Sequence, residues 1–314
     1  MPRVSVVLPS RNERFLNATV QDVLTKAAGD VEVVVVLDGA PPVAPLPDDP
    51  RVRVLAWETS QGLRAAVNAG IDLAAGEFVM KLDAHCRLED GWDDVLCASC
   101  DDDWLVIPRR VSLDAEHWCV AQTGRPPVDY EYIANPLRDL TQATRPGNVW
   151  RARARERAHL VLDDDMSFQG SCYFLRRAYW QRLGPLVSEG WGPFVLEPEE
   201  LGNKVWLSGG RVVVNKGTQY AHLHKGQQYG RGFFLDRRLM VRGREHHARF
   251  FLSNAWLPQW PTQVHPYEWL IDHFWPVPTW TETWREDVRA YLGSVSASGA
   301  AAGEMAAGPD EQLA

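Results

Sequence analysis

Long apolar runs are missing from this 314-residue chain. None approaches the ~20 residues that a helix needs to cross a bilayer, which excludes a membrane span of that kind. The opening MPRVSVVLPS has neither the apolar core nor the cleavage site of a signal peptide, so a cytoplasmic location is expected. Cysteine is scarce and odd in number: Cys86, Cys97, Cys100, Cys119 and Cys172. That excludes the disulfide framework of a small secreted protein and fits free thiols in a reducing compartment. Cys97-x-x-Cys100 has no second pair to complete a zinc site. Positive charge is not in excess. The net charge of -8 removes any global signature of nucleic-acid binding. There is no internal repeat, which excludes a solenoid.

What the chain does have is 45% hydrophobic residues, enough for one large domain or one domain with an appendage. Val4-Ser5-Val6-Val7-Leu8-Pro9 reads as a buried strand stopped by proline, and Val31 to Leu37 as a second, ending at Asp38-Gly39. Asn12 or Asn17 can cap the intervening helix. The proline-rich stretch 41–50 is a loop, Arg51 to Trp57 a third strand, Gly62 to Ala75 a helix, and Glu77 to Leu82 a fourth strand. Further strands are expected at Trp104–Pro108, Tyr173–Leu175 and Arg211–Asn215, with a helix over Glu199–Ser208. Strands alternating with helices predict an α/β fold with a mostly parallel sheet.

Asp83-Ala84-His85 follows the fourth strand. Residues i and i+2 of an extended chain share a face, so Asp83 and His85 can turn toward one ion. A carboxylate with an imidazole suits Mn2+ or a similar divalent ion, which could neutralise a diphosphate. Ligands in such sheets bind beyond the carboxyl ends of strands. Pro9 to Asn12, Asp38-Gly39 and Asp83 to His85 all sit at such ends.

VSVVLPSRNER, VVVVLDGA and GLRAAVNAGIDLAAGEFVMKLDAHC resemble the nucleotide-sugar-binding half of family-two glycosyltransferases with the GT-A fold. The D-x-H form, with Cys86 and Gly91-Trp92 after it, is closer to the polypeptide N-acetylgalactosaminyltransferases. FQGSCYFLRRAYWQRLG, GWGPFVLEPEELGNKVWLSGG and YAHLH resemble those enzymes' acceptor-side strand and helix, tryptophan-glycine-acidic block and third metal-ligand segment. The resemblance covers roughly residues 3–225, with a gap around 115–165. It implies a Rossmann-like GT-A domain over 1–225 with an insertion or mobile loop near 115–165. A basic lid and Trp-rich, mostly helical region would follow over 226–293, then a disordered tail over 294–314.

The same resemblance implies residue roles. Asp83, His85 and His222 would ligate Mn2+ or Mg2+, with His224 a possible substitute for His222. Asp38 would contact the uracil or ribose, with Pro9, Arg11, Asn12 and Glu13 beside it. Arg64 would be a helix-borne cation near the nucleotide, and Ala84 part of its wall. Gly170 would leave room for the sugar, and Trp191 would stack on ligand or pack in the core. Lys225 and Arg231 would cover the diphosphate. Glu197 and Glu200 would be the acids at the reacting centre, although the spacing from Trp191 leaves Glu199 open as well.

The expected activity is therefore metal-dependent transfer from a UDP-sugar, N-acetylhexosamine or hexose, to an acceptor hydroxyl. Protein Ser/Thr is suggested, and the D-x-H form leans toward retention of configuration. Two arginine clusters, 145–157 and 231–249, interleaved with aromatics, raise hydroxylated bases of viral DNA as a second acceptor. A non-catalytic nucleotide-sugar-binding protein is the third reading. A nucleotidyltransferase is disfavoured, because no glycine-rich, lysine-bearing loop follows the first strand. The oligomeric state is not legible.

Overall fold

The computed structural model describes residues 2–138, 147–192, 196–230, 236–253 and 260–294. The first half alternates as expected: β1 (Val4–Ser10), α1 (Leu16–Lys26), β2 (Val31–Asp38), β3 (Val52–Trp57), α2 (Leu63–Leu73) and β4 (Phe78–Leu82). Then come β5 (Cys86–Leu88), α3 (Trp92–Ala98), β6 (Trp104–Asp114), β7 (Cys119–Val120), β8 (Glu131–Ile133), β9 (Gly147–Val149) and α4 (Arg151–Glu156). The remainder is β10 (Leu162–Asp164), β11 (Cys172–Arg176), α5 (Arg177–Leu183), α6 (Glu197–Leu207), β12 (Arg211–His222), α7 (Gly226–Tyr229), α8 (Arg237–Ser253) and α9 (Tyr267–His273). Residues 284–294 are also helical.

The main sheet runs β3-β2-β1-β4-β11-β6-β12-β10. β1 pairs in parallel with β2 and β4, and β2 with β3, which is the pattern that strand–helix alternation dictates. β11 then inserts antiparallel between β4 and β6, so the second half of the sheet is mixed. All of β2 and β4 is buried, as expected for strands covered on both faces. One apolar cluster gathers Val4, Val6, Val33, Val35 and Met80 with α1 and α3. A larger one covers the opposite face, where Val7, Val34 and Val79 meet Trp206, Phe251, Tyr267, Trp280 and Trp284. Trp280 and Trp284 of the C-terminal region thus share the sheet's own core.

Three local expectations are corrected. Neither Asn12 nor Asn17 caps α1: the cap position is Phe15, Asn12 turns the chain at φ 52°, and Asn17 lies inside the helix. The Asn17 amide donates instead to the Pro45 carbonyl, and Glu13 accepts from the Phe15 amide. α6 starts two residues earlier than expected, with Pro198 in its first turn beside three acids that complement the helix dipole. β12 does not stop at Asn215. A bulge between Asn215 and Gln219 lets it continue beside β6 to His222. Of the stretch 115–165 expected to be an insertion, β8 and β9 form a two-stranded ribbon, and Tyr130, Ile133 and Trp150 pack into the large cluster. The tail from 295 onward lies outside the described residues.

Candidate active site

The carboxyl ends of β1, β2 and β4 open into a cavity of about 830 Å³, within the range of small-ligand sites. Pro9 and Arg11 line it from β1 and the turn that follows, Asp38 from β2, and Asp83, Ala84 and His85 from the chain leaving β4. Gly170, Glu197 and Glu199 line another wall; His222, His224 and Lys225 close it from the end of β12. Met240 of α8 also reaches it.

Two antiparallel pairings deliver the cluster at its base. The Asp83 amide donates to the Ser171 carbonyl at 2.8 Å, and His222 sits opposite Cys86 in the β12–β5 register. Asp83 Oδ2 is then 3.4 Å from His222 Nε2 and 3.8 Å from His85 Nε2. One potential ligand atom from each of Asp83, His85 and His222 falls within 4.8 Å of the others. It is the one group of this kind among the described residues. An octahedral ion with ligands at about 2.1 Å needs ligand atoms roughly 3 Å apart; Asp83 stands near that spacing from both imidazoles, and the set as a whole closes in on binding. His222 is buried, and neither ring nitrogen makes a hydrogen bond of good geometry among the described residues. Burial depresses its pKa to about 3 against the opposing pull of Asp83, so it is a neutral donor at ordinary pH. His224 is exposed, its ring 4.8 Å from that of His222, and it is not in the cluster.

The surrounding charges are paired. Glu13 binds His85 Nδ1 at 3.1 Å and takes a salt bridge from Lys225. Burial raises the Glu13 pKa, but the contacts with His85 and Lys225 outweigh it and the net shift is downward. Glu13 lines the cavity as well and holds the His85 imidazole in one orientation. Glu197 accepts from the Tyr173 hydroxyl at 2.6 Å. Burial pushes its pKa up, with Lys81 and Tyr173 opposing. A Cβ on Gly170 would stand 3.1 Å from the Glu197 carboxylate, so any larger residue there would press on that side chain.

Several expected site residues have partners within the protein. Asp38 lines the cavity, but its carboxylate already accepts from the Gln61 amide at 2.6 Å, the Gly62 amide at 3.1 Å and the Ser60 hydroxyl at 2.7 Å. It anchors the N-terminus of α2. Arg64 and Glu200 are both fully buried and are absent from the cavity wall. They form a salt bridge with each other, and Arg64 also donates to the Val187 carbonyl at 2.9 Å. Trp191 packs in the core among His246, His247, Phe250 and Phe251, 5.1 Å from the Arg64 guanidinium, and is also absent from the wall. Asn12 is not in the wall either, and Arg231 lies outside the described residues. Of the 145–157 arginines, Arg153 packs on Tyr130, Trp150 and Phe274, and Arg157 pairs with Asp163.

Two residues were missed. Lys81, in β4, sends its ammonium to Asp83 and to the Gly170 carbonyl. Tyr173, in β11, holds Glu197. A lysine inside an otherwise apolar strand was the available signal for the first. Nothing in the sequence distinguished the second.

Comparison with known proteins gives the arrangement relatives. The family model described as "Glycosyl transferase family 2" matches residues 5–180. "Probable N-acetylgalactosaminyltransferase 7" of Caenorhabditis elegans is 27% identical over 299 residues, which cover 85% of this chain and 47% of that protein. "Polypeptide N-acetylgalactosaminyltransferase 4" of Mus musculus is 26% identical over 198 residues, covering 59% of this chain and 32% of that protein. The chain thus spans about half or less of these two relatives. A crystal structure of GalNAc-T7 with UDP, GalNAc and Mn2+ superposes with a TM-score of 0.63 at 19% identity, covering 87% of this chain and 56% of the other. The shared architecture is the GT-A fold. No helix among the described residues is long and apolar enough to cross a membrane.

Proposed function

The chain belongs to glycosyl transferase family 2, and from that premise we propose that it moves a sugar from a UDP-sugar to an acceptor hydroxyl. The donor is a UDP-N-acetylhexosamine or UDP-hexose, and Asp83, His85 and His222 hold a divalent ion, Mn2+ or Mg2+. The observation that carries this reading is the Asp83–His85–His222 cluster at the base of a cavity lying beyond the strand ends. Mn2+ and UDP are named together in the GalNAc-T7 structure that shares the fold, which supports the pairing of ion and nucleotide. When bound, such an ion supplies positive charge to the departing diphosphate.

The chain's own residues do the rest. His85 is steadied by Glu13, and Asp83 by Lys81. Asp38 and Arg11 border the nucleotide end; Gly170 leaves space for the sugar; Lys225 faces the diphosphate. The bond from the anomeric carbon to the diphosphate oxygen breaks, and the bond from the acceptor oxygen to that carbon forms. Glu197 is the acid we assign to the reacting centre. In a retaining course it steadies positive charge on the sugar ring while a diphosphate oxygen takes the acceptor proton. In an inverting course it takes that proton itself. The D-x-H sequence favours retention, and the anomeric configuration of the product, read by NMR, decides.

A panel of UDP-sugars with Mn2+, read as UDP release by mass spectrometry, tests the activity. One donor should turn over, and Asp83→Ala should abolish the metal dependence. No UDP binding with or without Mn2+ would remove the proposal. A second reading of the acceptor rests on α8, whose Met240 lines the cavity while Arg237, Arg238, Arg242 and Arg249 are exposed. That face favours an anionic acceptor such as modified DNA. Binding to duplex DNA that weakens steeply with salt would support it, and no binding at low salt would end it.

A further inference from the structure

Lys81 is 1% exposed, in a strand whose other four residues are apolar. A buried ammonium persists only where its charge is matched. Its Nζ lies 2.5 Å from Asp83 Oδ1 and 3.9 Å from Glu197 Oε2, and it also bonds the Gly170 carbonyl. The two oxygens of Asp83 are therefore divided. Oδ1 faces the lysine, and Oδ2 faces the imidazoles of His222 and His85. Glu13, the next carboxylate out, is matched in the same way by Lys225.

The consequence is a charge count. Two metal-ligating imidazoles are neutral. The one carboxylate among the ligands already has an ammonium on its second oxygen, and the acid behind His85 has another. With Glu197 counted, 3.9 Å from Lys81, the protein side of the ion site carries about one net negative charge against the two positive charges of the ion. A divalent ion entering alone would meet a fixed cation a few ångströms away and find its own charge only half offset. A diphosphate brings the missing negative charge.

We propose that Lys81 makes ion binding conditional on the nucleotide: the protein alone holds the divalent ion weakly, and tightly only together with the donor diphosphate. This rests on the reading of Asp83, His85 and His222 as the ligands. Lys81 is on this view a positioning residue that acts through Asp83. It orients Oδ2 toward the ion and withholds the charge that would trap an ion in the absence of donor.

Calorimetry on the full chain tests it, titrating Mn2+ alone, UDP alone, and Mn2+ at saturating UDP. In the wild type, UDP should tighten Mn2+ binding by about 100-fold, toward the upper end of ordinary couplings. Lys81→Met should tighten binding of Mn2+ alone by about tenfold or more, because a nearby like charge is gone. Lys81→Arg should keep the weak wild-type affinity. A merely structural lesion would weaken Mn2+ binding, so the direction discriminates. A folded Lys81→Met variant with unchanged or weaker Mn2+ binding overturns the inference. If that variant does not fold, the wild type still decides: Mn2+ bound as tightly without UDP as with it overturns the inference and leaves the metal site standing. No Mn2+ binding with or without UDP overturns instead the ligand assignment beneath it.

Discussion

Glu200→Gln should damage stability and spare chemistry. Glu200 and Arg64 are both fully buried, and their salt bridge joins α6 to α2. Glu200 also pairs with Lys204 at 2.6 Å, and removing one member of a buried ion-pair group costs about 3–5 kcal/mol. Here the guanidinium would keep the Val187 carbonyl at 2.9 Å and the Trp191 ring at 5.1 Å. These remaining contacts put the expected loss near the lower end, about 3 kcal/mol. For a chain of this size that lowers Tm by about 6 °C. Urea unfolding followed by tryptophan fluorescence measures the loss, and calorimetry with UDP and Mn2+ measures the site. UDP affinity should stay within about twofold, since neither residue lines the cavity. Replacing both residues, Arg64→Met with Glu200→Met, should recover part of the stability, with the Lys204 pair still lost. By contrast, Glu197→Gln should cut transfer by about 100-fold or more while UDP still binds. The reasoning fails if Glu200→Gln leaves Tm unchanged and transfer collapses, because Glu200 would then be an acid of the reaction.

Three further outcomes are expected. His222→Ala should weaken Mn2+-dependent UDP binding by about tenfold or more, and His224→Ala should leave it within about twofold; the reverse pattern would make His224 the ligand. Asp38→Asn should cost about 1–2 kcal/mol in urea unfolding, because the Gln61 and Gly62 amides lose a charged acceptor at the start of α2. His247, buried beside Arg244 and Trp191, has its pKa depressed to about 3 by burial and by that arginine. The unfolded chain takes up this proton near pH 6.5 while the folded one resists it, so stability should decline as pH falls from about 6.5 toward 3. The slope is up to about 1.4 kcal/mol per pH unit from this group. His247→Gln should flatten that part of the profile, and an unchanged profile would mean that other groups carry the acid sensitivity.

The strands that build the nucleotide side were legible because each is a short apolar run ended by a polar residue. β1, β2 and β4 show this directly, and Asp38 and Asp83 fall at the ends of two of them. β12 was only half legible. Its passage through Lys216, Gly217 and Thr218 reads as a turn, and the bulge that carries the strand on to His222 leaves no apolar signature. His222 was therefore reached by family resemblance rather than by pattern. Trp191 could not be resolved, since a ring that stacks on a sugar and a ring that fills a core need the same residue. What decided it was α8, more than fifty residues away in the chain.

The acids of α6 show where sequence reasoning stops. Glu-Pro-Glu-Glu at a helix N-terminus is favourable for one local reason, the helix dipole, which makes no distinction among Glu197, Glu199 and Glu200. The distinction comes from donors on other elements. β11 offers Tyr173, and β4 offers Lys81, to Glu197. Gly147 of β9 offers its amide to Glu199, and α2 offers Arg64 to Glu200. Periodicity records which face of an element is buried, whereas the role of a buried charge depends on a partner that periodicity does not encode. Arg64 and Glu200 are 136 residues apart, and Glu13 and Lys225 are 212 apart. Glu197 stands in the cavity wall, has its pKa pushed up by burial and comes close to Gly170, whereas Glu200 is absent from that wall. That combination, and not its position in the motif, is why the chemistry is assigned to it.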